Sequence, residues 1–300
     1  MRSVRCDIGV KKPMANGQTL EELLTMLNLE RLEVNLFRGE SPAESRQRVF
    51  GGQVLGQALR AATHTVEDMI CHSFHSYFLR PGDPNCPIIF EVDHARDGKS
   101  FASRRVIAIQ HGKQIFNLAA SFQRFEVGNE HQMEMPEAPA PETLKSDLEL
   151  RQEVADKIPE SFRDHFLRRR PYDMRPVTPV NFFNPVKREA SQMVWFRASE
   201  AMPDDIDINQ ALLAYISDTT LLDTCLRPHG LSFMNPKLQS ASLDHAMWFY
   251  HPFKADEWIL YVQDSPASAG GRGMNFGHFF TQSGKLICSA AQEGLIRVHD

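Results

Sequence analysis

Three polar side chains interrupt otherwise apolar segments in the C-terminal part of the sequence, and each could take part in chemistry. Asp218 lies just after the apolar run 212–216, in a segment whose pattern predicts a helix from about 208 to 222. Such a carboxylate can act as a general base, because desolvation raises its pKa while hydrogen bonds to the ionised form lower it. The same position also suits an aspartate that caps or ends the helix. The sequence leaves both interpretations open.

Ser242 is predicted at the start of the strand 243–250, and Gln292 in the last strand of the same half of the chain. A glutamine amide can position a water molecule or donate to an oxyanion without changing its charge. A serine hydroxyl can both donate and accept a hydrogen bond. The strand of the first half that corresponds to the Gln292 strand carries Ala120 or its neighbours, so this amide has no polar counterpart there. Either residue alone could be an ordinary strand residue, so the hypothesis of a site requires that they meet Asp218.

Several common catalytic motifs are absent from the sequence. The segment 230–234 lacks the second glycine of a G-x-S-x-G nucleophile elbow, and there is no P-loop and no H-E-x-x-H motif. The glycine-rich segment 270–273 follows a predicted strand but does not begin a helix, which is unlike a dinucleotide-binding fingerprint. A hairpin loop is one interpretation of this segment. The other is a contact with a substrate phosphate through the backbone of Gly271 and the side chain of Arg272.

Composition and charge limit the class of protein. The chain has 300 residues, of which 42% are hydrophobic and 24% charged, as is typical of a globular protein rather than a disordered one. Its formal net charge of −5 provides no general attraction to nucleic acid or to an anionic membrane. No stretch approaches the roughly 18 apolar residues that a membrane-spanning helix needs. We therefore expect neither nucleic acid nor a membrane as a partner.

The cysteines predict neither a disulfide framework nor a zinc site. They are odd in number and scattered, and no two have C-x-x-C spacing: Cys6, Cys71, Cys86, Cys225 and Cys288. We expect no metal and no cofactor. The final residues, 297–300, are not a peroxisomal serine-lysine-leucine ending. The sequence thus favours a reduced, cytoplasmic location.

The order of patterns suggests an internal duplication. Residues 18–126 and 191–300 each read as one long apolar helix followed by strands, and the proline-rich segment 127–190 reads as a linker. In the first module, Thr19 and Glu22 have the spacing of a capping box, and the segment 32–36 alternates like a strand. Glycine and proline turns separate the later strands. We predict an α+β fold in which a sheet wraps around a central helix in each module.

The sequence resembles a known family, the acyl-CoA thioesterase II family of double-hotdog thioesterases. The resemblance covers nearly the whole chain. It is carried by Phe50-Gly51-Gly52-Gln53-Val54-Leu55, His75-Ser76-Tyr77-Phe78-Leu79-Arg80-Pro81-Gly82, Asp97-Gly98-Lys99-Ser100-Phe101, Arg227-Pro228-His229-Gly230, Ser242-Leu243-Asp244-His245 and Gln292-Glu293-Gly294.

The resemblance implies two tandem hotdog modules, with the catalytic residues in the second. It implies hydrolysis of acyl-CoA thioesters to fatty acid and CoA without a covalent intermediate. The family's aspartate, hydroxyl residue and glutamine fall on Asp218, Ser242 and Gln292. Asp218 would then activate water as a general base while the other two hold the water or the substrate. The family also implies a homo-oligomer, either a dimer or a tetramer. The sequence specifies neither the length of the acyl chain nor the group that donates hydrogen bonds to the oxyanion.

Two other functions are weighed against hydrolysis. A hotdog enoyl-CoA hydratase would resemble a pattern in which histidine follows aspartate by five residues, and no aspartate here is followed in that way. A non-catalytic acyl-CoA-binding or regulatory protein would have a degenerate site. All three polar positions are filled, which favours the enzyme.

Overall fold

The computed structural model describes residues 17–42, 48–158, 160–181 and 183–299. Within them, strands from both halves of the chain form one antiparallel sheet of 13 strands. None of the helices in these ranges has both the length and the apolar composition needed to cross a bilayer. None of the four described cysteines forms a disulfide, and Cys6 lies outside the described residues.

The N-terminal half begins with the predicted capping box. Thr19 Oγ1 accepts from the Glu22 N–H, and the Glu22 carboxylate accepts from the Thr19 N–H, which fixes the start of the first helix. The elements of this half are α1 (Leu20–Leu27), β1 (Glu30–Glu33), β2 (Leu36–Gly39), α2 (Gly51–Thr63), β3 (Ile70–Phe78), β4 (Ile88–Asp97), β5 (Phe101–Gln110) and β6 (Lys113–Gln123).

Short helical pieces and one strand lie between the two halves: 3₁₀ turns at Pro141–Thr143 and Ala155–Lys157, α3 (Asp147–Gln152), α4 (Glu160–Phe166) and β7 (Tyr172–Pro176). The C-terminal half repeats the order of a long helix followed by strands. It contains β8 (Ser191–Ala198), α5 (Ile206–Ser217), a 3₁₀-helical segment (Leu221–His229), β9 (Leu238–Ser242), β10 (Asp244–Phe249), β11 (Ile259–Ala269), β12 (Arg272–Thr281) and β13 (Leu286–Val298).

The two halves join through β3 and β10. The order along the sheet is β1-β2-β4-β5-β6-β3 and then β10-β13-β12-β11-β8-β7, while β9 pairs with the far end of β13. β3 and β10 are antiparallel neighbours, with His75 opposite Ala246. Since both strands are central, the two half-sheets form one continuous surface.

The two long helices pack against each other at glycines of α2. A Cβ on Gly52 would collide with the carbonyl oxygen of Tyr215, and one on Gly56 would lie 2.9 Å from that of Ala211. Only glycine permits so close an approach of backbones. Because the contacts run forward along α2 and backward along α5, the helices are antiparallel. The first turn of α2 therefore lies beside the last turn of α5.

Four expectations from the sequence need correction. The single strand expected at 32–36 is two strands joined by a turn at residues 34–35, where Asn35 tolerates turn geometry. Helix α5 ends at Ser217 rather than near residue 222, since the polar run 217–220 competes for the backbone. Ser242 ends β9 instead of beginning the next strand.

The fourth correction concerns the proline-rich segment. The proposed linker 127–190 contains β7, which pairs with β8 as the outermost strand of the C-terminal half. An edge strand tolerates a proline such as Pro176 because its outward N–H positions need no partner. The last part of this segment is therefore built into the C-terminal sheet.

Candidate active site

The three polar residues predicted from the sequence meet in the structure. Asp218 is the C-cap of α5, Ser242 is the last residue of β9, and Gln292 lies on β13. Gln292 Nε2 donates to Asp218 Oδ1 at 2.6 Å and to Ser242 Oγ at 3.0 Å. Ser242 Oγ in turn donates to Asp218 Oδ1 at 3.2 Å. Asp218 therefore both ends the helix and belongs to a hydrogen-bonded cluster.

The direction of these bonds fixes the orientation of the glutamine amide. A carboxylate only accepts hydrogen bonds, so the group that Gln292 presents to Asp218 must be its NH₂. Gln292 is fully buried, and its Oε1 has no partner among the described residues. A buried acceptor without a donor is costly, so the amide is held in this orientation at the expense of its own oxygen.

A cavity of about 870 Å³ opens beside this cluster. Both halves of the chain contribute to its wall. The lining residues include Arg48, Val49, Phe50, Gly51, Val54, Phe78, Arg80, Ile115, Phe116, Asp218, Thr219, Leu222, Asp223, Phe233, Ser240, Ser242 and Leu243. A space of this size, mainly apolar with a few convergent polar groups, is typical of a small-molecule site.

The first turn of α2 adjoins Asp218 at the wall of the cavity. A Cβ on Gly51 would lie 2.5 Å from Asp218 Oδ2, so the carboxylate rests against the glycine backbone. The first N–H groups of a helix have no partner within the helix, and they favour negative charge. The sequence did not single out this helix start as part of the candidate site. The signal was present in the glycine pair that begins α2.

A second acid, Asp223, lines the same cavity and was not identified from the sequence. It lies in the 3₁₀-helical segment that follows α5. Burial raises the pKa of its carboxyl to about 7, and the neighbouring negative charges of Asp147 and Asp218 act in the same direction. The guanidinium groups of Arg170 and Arg227 oppose this rise. The useful signal would have been an acid placed among apolar residues.

A buried histidine supports the end of α5. Ser217 Oγ donates to the Ala214 carbonyl at 2.8 Å, so it accepts the 2.9 Å hydrogen bond from His245 Nε2. Burial lowers the pKa of His245 to about 3, and the ring is therefore neutral. The backbone carbonyl of His245 accepts a hydrogen bond from Ser76 Oγ at 2.7 Å. These bonds fix the residue that immediately precedes Asp218.

Comparison with known proteins relates the whole chain to one family. Residues 161–295 match a family model described as acyl-CoA thioesterase, and residues 40–123 match one described as acyl-CoA thioesterase N-terminal domain. The chain is 43% identical to acyl-CoA thioesterase 2 of Haemophilus influenzae, with 93% of this chain and 98% of that protein covered. It is 41% identical to human acyl-coenzyme A thioesterase 8, with coverages of 91% and 88%. The chain belongs to the acyl-CoA thioesterase II family.

Solved structures agree with this family membership. An acyl-CoA thioesterase II from Mycobacterium marinum has a TM-score of 0.76 and 42% identity, with 93% of this chain and 99% of that chain covered. A hot dog fold protein of unknown function from Alicyclobacillus acidocaldarius has a TM-score of 0.74 at 18% identity, covering 93% and 98%. The second likeness concerns the fold alone. The predicted α+β double-hotdog fold is confirmed.

Four of the six motifs quoted from the sequence contribute to the cavity or to the cluster beside it, while 97–101 and 227–230 supply no lining residue. The motif that begins at Phe50 provides the first turn of α2, and the motif containing Arg80 follows β3 at the cavity wall. The motifs that begin at Ser242 and Gln292 supply the groups bonded to Asp218. Segments far apart in sequence therefore share one site.

The structure does not bring the other two candidate residues to this cavity. Gly271 lies in the hairpin turn between β11 and β12, and Arg272 Nε donates to Glu293 Oε1 at 2.8 Å. Neither residue is among those that line the cavity. The hairpin interpretation of 270–273 is the one the structure favours, because Gly270 and Gly271 both have positive φ, at 59° and 74°.

One group of potential metal ligands lies near the rim of the cavity. Asp83, Cys86 and His111 place their ligand atoms within 4.8 Å of one another. His111 Nε2 and Asp83 Oδ2 already form a direct pair at 3.2 Å. The sequence gave no metal-binding spacing for these residues, since His111 comes from a different turn.

Proposed function

We propose that this protein hydrolyses acyl-CoA thioesters to a free acid and CoA, using water activated by Asp218 and no covalent intermediate. One observation carries the proposal. Asp218 lies at the wall of the cavity, where Ser242 and Gln292 both donate to one of its carboxylate oxygens. The substrate class is supported by relatives that are named acyl-CoA thioesterases.

Asp218 acts as the general base in this proposal. The two hydrogen bonds to Oδ1 fix the carboxylate and favour its ionised form. Water bound beside it loses a proton to the carboxylate as its oxygen adds to the thioester carbonyl carbon. The carbon–sulfur bond then breaks, and CoA leaves as a thiolate that takes up a proton. Because the thiolate is a good leaving group, the reaction requires no covalent enzyme intermediate.

The first turn of α2 acts as the oxyanion donor. When water adds to the carbonyl carbon, negative charge develops on the thioester oxygen. The N–H groups that begin α2 adjoin Asp218 through Gly51, and the positive end of the helix favours charge at this place. A base and an anion-stabilising group thus lie next to each other at the wall of the cavity.

Asp218→Asn tests the proposal, with release of the CoA thiol measured by a chromogenic disulfide. We expect the rate to fall by about 10²–10⁴, because the amide keeps the shape but cannot accept the proton. The exposed Asp156→Asn serves as the matched control, and equal melting temperatures would show that the fold is retained. An unchanged rate in Asp218→Asn would exclude the base mechanism. A wild-type protein that binds acyl-CoA without releasing thiol would instead favour the non-catalytic alternative.

A homo-oligomeric state and a cytoplasmic location complete the proposal, and both rest on the family resemblance. Light scattering coupled to size-exclusion chromatography measures the first, and fractionation of the source cells measures the second. A monomer at micromolar concentration would contradict the expectation of an oligomer.

A further inference from the structure

The two sides of the cavity differ in chemical character. The N-terminal half supplies the more apolar side, Val49, Val54, Phe78, Ile115 and Phe116, to which Arg48 and Arg80 add charge. The C-terminal half supplies the more polar side, Asp218, Thr219, Asp223, Ser240 and Ser242, next to the apolar Leu222, Phe233 and Leu243. Arg48 reaches this polar side from the other half, where its guanidinium donates to the Ser240 carbonyl at 2.9 Å. A ligand that is apolar at one end and polar at the other would match the cavity.

Asp223 is a polar group on this wall whose purpose the hydrolytic mechanism does not explain. Within the described part of the chain, its carboxyl oxygens make no hydrogen bond and no salt bridge. A partly buried carboxyl without such partners costs free energy, which a bound ligand could recover by hydrogen bonding. The guanidinium groups of Arg170 and Arg227 act on it only through their charge.

The backbone around Asp223 is held in place on both sides. The Leu222 side chain packs on Gly294 of β13, and the Cys225 side chain packs on Gly273 of β12. A Cβ at either glycine would collide with these side chains, so the segment lies as close to the sheet as glycine allows. The carboxyl is thus presented to the cavity from a fixed support, which lowers the entropic cost of binding.

The ionisation of Asp223 suits contact with a neutral polar group. With its pKa raised to about 7 by burial, the carboxyl exists in both forms near neutral pH. The ionised form accepts hydrogen bonds, and the protonated form both donates and accepts them. An amide offers one donor and one acceptor, so it can pair with either form.

An acyl-CoA thioester has this distribution of groups around its reacting carbon. The acyl chain on one side is apolar. The pantetheine arm on the sulfur side carries two amides. We propose that Asp223 binds the pantetheine amide nearest the thioester sulfur, while the acyl chain lies against the apolar side of the cavity. This inference rests on the proposed function, since it assumes that the thioester carbon lies beside Asp218.

Three hexanoyl thioesters test the inference: those of CoA, N-acetylcysteamine and propanethiol. The first two contain the amide in question and the third contains none. For Asp223→Leu we expect kcat/KM to fall about three- to tenfold on the first two substrates, mainly through KM. The rate on the propanethiol ester should stay at the wild-type value. Asp223→Asn, which keeps a donor and an acceptor, should lose less than Asp223→Leu.

Three results would overturn the inference. An equal fall on all three substrates would mean that Asp223 acts on the chemistry or on the structure. No change on any substrate would mean that it binds nothing. A larger effect with 3-hydroxyhexanoyl-CoA than with hexanoyl-CoA would place Asp223 beside the acyl chain and would also contradict the proposal.

The controls separate this inference from the proposed function. Asp156→Leu is the matched surface control and should behave as wild type on every substrate. Asp218→Asn should lose activity on all three substrates, including the one without an amide. If Asp218→Asn stayed active, the base mechanism would be wrong. The comparison of Asp223 variants across the substrates would still decide whether Asp223 binds the pantetheine amide. If Asp223→Leu did not fold, Asp223→Asn and the substrate series would still decide.

Discussion

The side-chain amide of Gln292 donates to Asp218 Oδ1 at 2.6 Å, although 74 residues separate them in the chain. This bond joins the end of α5 to the middle of β13. The bond can form only if the last turn of α5 packs beside the middle of β13. The contact thus depends on the whole C-terminal half.

Replacing Gln292 should reduce turnover without unfolding the protein. Removal of a hydrogen bond to a charged group is worth about 1.5–3 kcal/mol, so Gln292→Ala should lower kcat roughly ten- to a hundredfold. Gln292→Glu should be more harmful above neutral pH, because a second carboxylate would face Asp218. Thiol release at pH 6 and pH 8 measures both effects. A glutamate variant that matched alanine at both values would argue against this electrostatic account.

A methyl group at Gly51 should displace the Asp218 carboxylate. The added Cβ would lie 2.5 Å from Asp218 Oδ2 and 3.2 Å from the Phe78 ring, and a displacement near 1 Å can cost on the order of a hundredfold in rate. We expect Gly51→Ala to lose most of its kcat. Gly128→Ala is the matched control, because a Cβ there meets nothing within 4 Å. Wild-type kcat in Gly51→Ala would contradict the observed proximity of α2 to Asp218.

The acid Asp223 should make stability depend on pH near neutrality. Its pKa is about 7 in the folded protein and 3.8 without the fold, so the folded state binds more protons between these values. The contribution of Asp223 to the free energy of unfolding is therefore present at low pH and is lost as the pH rises towards 7. Asparagine does not titrate. The melting temperature of Asp223→Asn minus that of wild type should therefore increase from pH 4 to pH 8. A constant difference across this range would show that the folded pKa is not raised.

The buried His245 should make the folded protein less stable as the pH falls. Burial lowers its pKa from 6.5 to about 3, so the unfolded state binds more protons between these values. The contribution of this group is present above pH 6.5 and is lost as pH falls towards 3. His245→Gln does not titrate, so its melting temperature should decline less steeply with acid than that of wild type. Parallel curves for the two proteins would refute this assignment.

The sequence by itself determined the local elements and the identity of the candidate residues. The capping box at Thr19, the two long apolar helices and the alternating strands depend on neighbours within a few residues, and such patterns are readable without a structure. Asp218, Ser242 and Gln292 could be selected because a polar residue in an apolar element is conspicuous. The same logic was not applied to Asp223, which lies beyond α5 in the 3₁₀-helical segment 221–229.

Only the tertiary structure decided which of these residues meet. It settled that Asp218 both caps α5 and faces a cavity, two possibilities that the sequence could not separate. The approach of Gly51 to Asp218 depends on close packing of α2 against α5, and the pKa of Asp223 depends on burial by distant segments. It also separated Arg272 from the cavity by pairing it with Glu293. Such facts follow from contacts between distant parts of the chain, which local patterns do not encode.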